Sequence, residues 1–225
     1  MAVSREFWAR YQVEDFDTIT EDESVALLEE RDRLYPGAVT LMPLNHQGVI
    51  LDFGCGPGSD TIGFLLNGAE HVYAADISPK ALRMTCSRLA AHGMEQWCTP
   101  ILIENEKWLP PEVDHIHAAG VLHPCAAPTA TLRRLATGLR DGAEIRLMVY
   151  SSESAFYQLV CDGNPATFRL RADEDAPIAN AWTIAEVQQI ASNAGLCASH
   201  VGSYRHPTER GFGEGLSACY SVRRP

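Results

Sequence analysis

The chain has 225 residues, 46% hydrophobic and 21% charged, with a formal net charge of −11. That is length and apolar content for one well-cored domain and excludes a disordered chain. The acidic balance argues against general nucleic-acid binding, which needs a basic face, and no run approaches the ~18 apolar residues of a membrane span.

Residues 1–10 carry charges and Trp8 instead of an apolar leader, so a cytoplasmic address is expected. Seven dispersed cysteines without a CxxC pair predict buried reduced thiols, not a zinc ribbon or an iron–sulfur site. Val25, Leu28 and Leu34 recur at turn spacing and predict an exposed helix over 24–34 that Pro36 and Gly37 stop. The apolar run 49–54 predicts a buried strand, followed by a helix over 61–67 that Gly68 ends. A strand over 71–76 follows. Ser78 then caps a helix that has Pro79 in its first turn and runs to about residue 92. Further strands are predicted at 100–104, 113–119 and 143–150, with a helix over 129–139 and a turn at Asp141-Gly142.

This alternation predicts a doubly wound α/β sheet. Beyond Tyr150 the rhythm breaks into an irregular insertion over 151–182. A helix over 183–194 and strands over 196–204 and 215–222 close the chain. The reading is one domain, 1–225: a helical cap (1–45), a ligand-binding core (46–152), an insertion near the acceptor site (153–182) and a closing helix and strand pair (183–225).

Asp52-Phe53-Gly54-Cys55-Gly56-Pro57-Gly58 lies between the first strand and a helix. Glycines there let the backbone turn sharply and approach a ligand at the carboxyl ends of the strands. The spacing is G-x-G-x-G, one residue short of a dinucleotide fingerprint, and no lysine follows as a Walker loop requires. A nicotinamide-dependent oxidoreductase is therefore disfavoured. Asp76, at the end of the second strand, can accept hydrogen bonds from both hydroxyls of an adenosine ribose. The two features together point to an adenosyl ligand.

With these residues, with Ala75-Asp76-Ile77-Ser78, Glu104-Asn105 ahead of Leu109-Pro110, Gly120-Val121-Leu122-His123 and Asp141-Gly142, the chain resembles the class I S-adenosylmethionine-dependent methyltransferases over roughly residues 46–152. The resemblance implies a Rossmann-like sheet of seven strands, mostly parallel with an antiparallel last strand and helices on both faces. It implies S-adenosylmethionine as cofactor, S-adenosylhomocysteine as product and no metal. Gly54, Cys55, Gly56 and Gly58 would lie under the methionine part, and Asp52 would orient its ammonium group. Asp76 would hold the ribose, Ile77 the adenine face, Glu104 or Asn105 the adenine amine, and Gly120 the methionine moiety.

His123 is the candidate general base, with a packing role beside the cofactor as the alternative. Trp8, Tyr11 and Tyr150 are candidate acceptor-pocket residues. His115 and His117 share one face of their strand and, with Cys125 nearby, raise a metal reading; without a carboxylate cluster, two packed histidines are the commoner outcome. Arg169, Arg171, Arg205 and Arg210 either make a positive rim or, the preferred reading, balance the acidic segments. The Asn/Asp-Pro-Pro-Tyr signature of enzymes acting on nucleobase or glutamine nitrogens is absent at 120–124. The expectation is methyl transfer to a small-molecule O, N or C acceptor. The alternatives are a protein or RNA acceptor and a non-catalytic S-adenosylmethionine-binding sensor or partner subunit. Neither nucleic acid nor a membrane is expected as a partner, and a homodimer is compatible with the sequence.

Overall fold

The computed structural model describes residues 2–10, 14–105, 107–161, 179–205 and 215–225. Among the described residues, three helices precede the sheet: α1 (Ala2–Arg10), α2 (Glu21–Leu34) and α3 (Pro36–Leu41). α2 starts on a reciprocal cap. The Thr20 hydroxyl accepts from the Glu23 N–H at 3.3 Å and the Glu23 carboxylate accepts from the Thr20 N–H at 2.9 Å. α2 ends at Leu34, ahead of Pro36 as expected, but Pro36 does not lead into a loop. It opens α3, where a missing N–H and a preset φ suit the first turn.

Then come β1 (Val49–Phe53), α4 (Ser59–Leu66), β2 (His71–Asp76), α5 (Pro79–Ala91), β3 (Cys98–Leu102), β4 (Val113–Ala119), α6 (Pro128–Ala136) and β5 (Leu139–Ser151). The Ser78 hydroxyl accepts from the Ala81 N–H at 3.2 Å and caps α5 as predicted. β3 begins two residues early because Cys98 pairs in register with Val72. As a sheet edge it tolerates Pro100. α6 stops at Ala136, short of the predicted 139, because the sheet takes the next residues: the Gly138 carbonyl accepts from the Val113 N–H at 2.8 Å. The predicted turn at Asp141-Gly142 is a bulge inside β5. Val113 pairs Leu139 and His115 pairs Glu144, so surplus residues loop out around Gly142 at φ 80°.

The described residues after β5 form α7 (Ala155–Cys161) and a two-residue strand, β6 (Ala181–Trp182). α8 (Ile184–Asn193), β7 (Cys197–Tyr204) and β8 (Ser217–Arg223) follow. Among the described residues the expected seven strands form the sheet in the order β3-β2-β1-β4-β5-β8-β7, and a two-residue eighth, β6, pairs with β5 off this path. All pairs are parallel except those of β8, which runs antiparallel to β5 and β7. Among the described residues, no helix is long and apolar enough to cross a membrane.

The two faces of the sheet differ. On one, Ile116, Ala118, Ile145 and Leu147 pack with Leu132 and Leu135 of α6 and Val187 and Ala191 of α8. On the other, Ile50, Val72 and Ala74 pack with Ile62, Phe64 and Leu65 of α4 and Leu82 and Leu89 of α5. On that second face the alternate residues of β4 and β5, namely His115, His117, Glu144 and Arg146, are polar, and the first three are buried.

Candidate functional site

Strand order reverses between β1 and β4. In such sheets ligands bind outside the carboxyl ends of the strands at that switch point. The loop after β1 and the turn after β4 meet there. A Cβ on Gly54 would lie 2.4 Å from Val121 Cγ2, so only glycine lets the two segments close. Gly54, Gly56 and Gly58 all have positive φ, at 78°, 54° and 88°. Gly56 is the open one, since a Cβ there would meet nothing within 4 Å. Cys55 turns its thiol inward, 3.8 Å from the Thr85 hydroxyl, and burial pushes that thiol well up. It therefore offers a ligand only its backbone. Thr85 also donates to the Gly56 carbonyl at 3.0 Å, tying the loop to α5.

Asp76 braces the same loop. One carboxylate oxygen accepts from the Gly56 N–H at 3.0 Å and the other from the Ser78 N–H at 2.8 Å. Burial raises its pKa, and these backbone hydrogen bonds oppose the rise. The Ile77 backbone N–H bonds the carboxylate as well. Asp52 is 3% exposed and accepts from the Thr61 hydroxyl of α4 at 2.6 Å. Burial pushes its pKa up to about 6. Nearby, Asp60 is held between His117 Nε2 at 2.9 Å and the Arg31 guanidinium of α2 at 2.9 Å. Burial alone would raise the Asp60 pKa, but the Arg31 charge and the His117 hydrogen bond bring it down to about 2.

Sequence reasoning singled out His117, but not Thr61, Thr85, Asp60 or Arg31, with which it shares this region. An acidic residue in a helix's first turn is ordinarily read as a response to the helix dipole. Its partners here come from distant elements, so no local signal marked them.

At the tip of β3, the Ile103 N–H donates to the Asp76 carbonyl at 2.8 Å, which brings Glu104 and Asn105 to the same end of the sheet. Both are exposed, and the Asn105 side-chain oxygen accepts from the Lys107 N–H at 2.8 Å. Ile77 is half-buried against the α6–α8 face. Gly120 follows β4, with its N–H on the Met148 carbonyl at 3.2 Å.

His123 is 2% exposed and stacks on Tyr150, with centroids 4.0 Å apart at 15°. The Asn180 N–H and carboxamide both donate to the His123 carbonyl at 2.9 Å, pinning the turn. Burial lowers the imidazole pKa to about 3, so the ring is neutral at physiological pH. Trp8 meets Phe7 edge-on at 5.0 Å on α1, which packs on α5 at the β2–β3 side. Tyr11, Arg169, Arg171 and Arg210 lie outside the described residues; Arg205 is exposed.

His115 and His117 do share a face, with Phe64 at 6.2 and 5.2 Å. They part in what they bind. His117 is taken by Asp60, and His115 stacks on His46. Cys125 is not part of that cluster: its thiol donates to the Val121 carbonyl at 3.3 Å.

Residues 51–145 match a family model described as a methyltransferase domain. The chain is 34% identical over 107 residues to the ribosomal protein L11 methyltransferase of Pseudomonas paraeruginosa, covering 47% of this chain and 35% of that protein. It is 31% identical over 155 residues to the tRNA U34 carboxymethyltransferase of Shewanella woodyi, covering 67% and 43%. It thus spans less than half the length of either curated relative. Magnesium protoporphyrin IX methyltransferase from Synechocystis PCC 6803 shares the fold with a TM-score of 0.67 at 18% identity, over 100% of this chain and 99% of that one. The matched segment, 51–145, carries the glycine loop and the β1–β4 switch point, and over it the chain is similar to methyltransferase domains.

Proposed function

We propose that the chain binds S-adenosylmethionine at the carboxyl ends of β1, β2 and β4 and directs methyl transfer to a small-molecule acceptor. The observation that carries this reading is Gly56, open where a side chain would stand and braced by the Asp76 carboxylate. When bound, the cofactor supplies a methyl group on a positively charged sulfur that is already electrophilic, so the transfer needs no metal.

The chain's own residues bind and orient. Asp76 accepts from a ribose diol, and Ile77 covers the adenine. Glu104 or Asn105 reaches its amine. Asp52 faces an ammonium group, and a cation there holds the carboxyl ionised against its burial. Gly54, Cys55, Gly56, Gly58 and Gly120 present backbone to the methionine part. His123 and Tyr150 form a stacked aromatic wall for the acceptor. A neutral imidazole with its pKa near 3 is a weak proton acceptor, so His123 serves better to position the acceptor and exclude water than to remove a proton. Trp8 and Tyr11 contribute from the N-terminal segment.

The charge of −11 and the end-to-end match to a porphyrin methyltransferase fold support a small acceptor. A protein or RNA acceptor is the second reading, favoured by the names of the two sequence relatives.

Calorimetric titration with S-adenosylhomocysteine, beside NAD and beside Asp76→Ala, tests the cofactor. Binding that the variant loses is expected, while NAD binding would overturn the assignment. Labelled S-adenosylmethionine incubated with metabolite, ribosomal and tRNA fractions then locates the acceptor. Label in a macromolecular fraction would replace the small-molecule reading, and binding without any label would mark a sensor.

A further inference from the structure

Away from the glycine loop, at the amino-terminal half of β4, lies a second cluster of chemistry-bearing side chains. His46 comes from the loop before β1, His115 from β4 and Glu144 from β5. One ligating atom of each lies within 4.8 Å of the others. His115 is five positions before Gly120, so about 16 Å of strand separates this cluster from the ligand-binding end.

Hydrogen bonding does not account for the two rings. Both nitrogens of His115 and Nε2 of His46 are buried without a hydrogen-bond partner, and His115 is 2% exposed. A buried polar atom left unpaired is destabilising by about 1–3 kcal/mol, so three in one place call for an explanation. The neighbouring histidines are better satisfied: His117 engages Asp60 through Nε2 and leaves only Nδ1 unpaired, and His71 Nε2 lies 2.9 Å from the Thr99 hydroxyl. The rings of His46 and His115 lie face to face, 3.5 Å apart at 15°, with Phe64 beside both.

We propose that His46, His115 and Glu144 bind a divalent transition-metal cation of the zinc class, which fastens the loop before β1 to the middle of the sheet.

The donor set favours that class. Two imidazoles suit zinc, cobalt and nickel and disfavour magnesium and calcium, which take oxygen ligands. Burial lowers the pKa of His115 well below the usual histidine range and also lowers that of His46, which keeps both in the neutral, ligating form. Glu144 is held as a carboxylate by Arg146, Ser221 and Arg223. Arg146 donates to one oxygen at 2.8 Å; the Ser221 hydroxyl and the Arg223 Nη2, the latter at 2.9 Å, donate to the other. These contacts orient the carboxylate as outer-shell partners do, and leave a lone pair on the oxygen that Arg146 touches. The two guanidinium charges also weaken attraction for a hard cation, leaving imidazole ligation to supply the affinity. A tetrahedral ion needs donors about 3.4 Å apart, so the stacked rings must fan open as it enters. His46, half-buried on its loop, is the element free to turn, and water completes the coordination.

The test is equilibrium dialysis of the full chain against micromolar zinc with elemental analysis, repeated with cobalt and read by its visible absorption. Wild type should hold about one zinc per chain, show the intense bands of tetrahedral cobalt and melt at a higher temperature with zinc than with a chelator. His46→Ala and His115→Gln should lose all three signals, while Cys86→Ser, which removes an exposed thiol, should keep them. If His115→Gln does not fold, His46→Ala decides the matter alone. Absence of zinc in wild type, or zinc retained in both histidine variants, overturns the proposal.

Discussion

The two faces of β4 and β5 are built from the same strands on opposite principles. Ile116, Ala118, Ile145 and Leu147 turn to one side and bury against α6 and α8. Their neighbours His115, His117, Glu144 and Arg146 turn to the other and meet His46, Asp60 and Arg223, with Arg31 behind Asp60. Apolar burial is indifferent to proton concentration, whereas charge pairing is not. The first face should therefore set stability at every pH and the second should set how stability changes with pH. The glycine loop stands on the second face, through Asp52, Thr61 and Asp60.

The largest effect expected is on the apolar face. Leu132→Ala removes a fully buried side chain and should destabilise by about 2–5 kcal/mol. Denaturant unfolding at pH 5 and pH 8 should give the same loss; a loss confined to one pH would break the contrast. Asp60→Asn takes from the Arg31 guanidinium one of its two carboxylate partners, leaving Asp32 at 2.6 Å, and weakens the hydrogen bond to His117, at a cost of about 2 kcal/mol at neutral pH. Asp60 has a folded pKa of about 2 against an ordinary 3.8. Its contribution is fully present above the ordinary value and is lost as pH falls through about 2. Variant and wild type should therefore converge in acid.

Asp52 has the opposite sign. Its folded pKa of about 6 lies above the ordinary 3.8, so its effect on stability is most favourable below the ordinary value and is lost as pH rises through about 6. Asp52→Asn should raise stability near pH 7.5 by about 2 kcal/mol while weakening S-adenosylhomocysteine binding. A variant no more stable than wild type would show that the buried carboxylate is already neutralised by its surroundings. Next come two glycines in one loop. Gly54→Ala meets Val121 and a positive φ and should cost about 2 kcal/mol of stability. Gly56→Ala, with open space around it, should cost only about 1 kcal/mol and instead impair ligand binding. Calorimetry and thermal melting on the same pair separate the two roles. The smallest effect is Ser78→Ala, which removes the α5 cap and should cost about 1 kcal/mol by denaturant unfolding.

The elements legible in the sequence are those whose cause is local. Gly68, Gly93 and Gly195 adopt the positive φ that their helix-ending positions imply, Ser78 caps α5, and β4 runs over the predicted 113–119. Boundaries moved where a partner strand claimed residues, as at β3, at the end of α6 and at the β5 bulge. β6 is two residues long and exists only because β5 is beside it, so no periodicity could announce it.

By itself the sequence determined the alternation of strands and helices, the glycine turn after β1 and the acidic residue at the end of β2. Each follows from backbone conformation and near-neighbour chemistry, which a few consecutive residues specify. The tertiary structure decided which charges would meet. Asp60 finds Arg31 and His117, His46 finds His115 and Glu144, and His123 is buried against Tyr150 and becomes a weak base. Pairing, desolvation and pKa depend on distances between segments far apart in the chain, and those distances exist only once the sheet has closed.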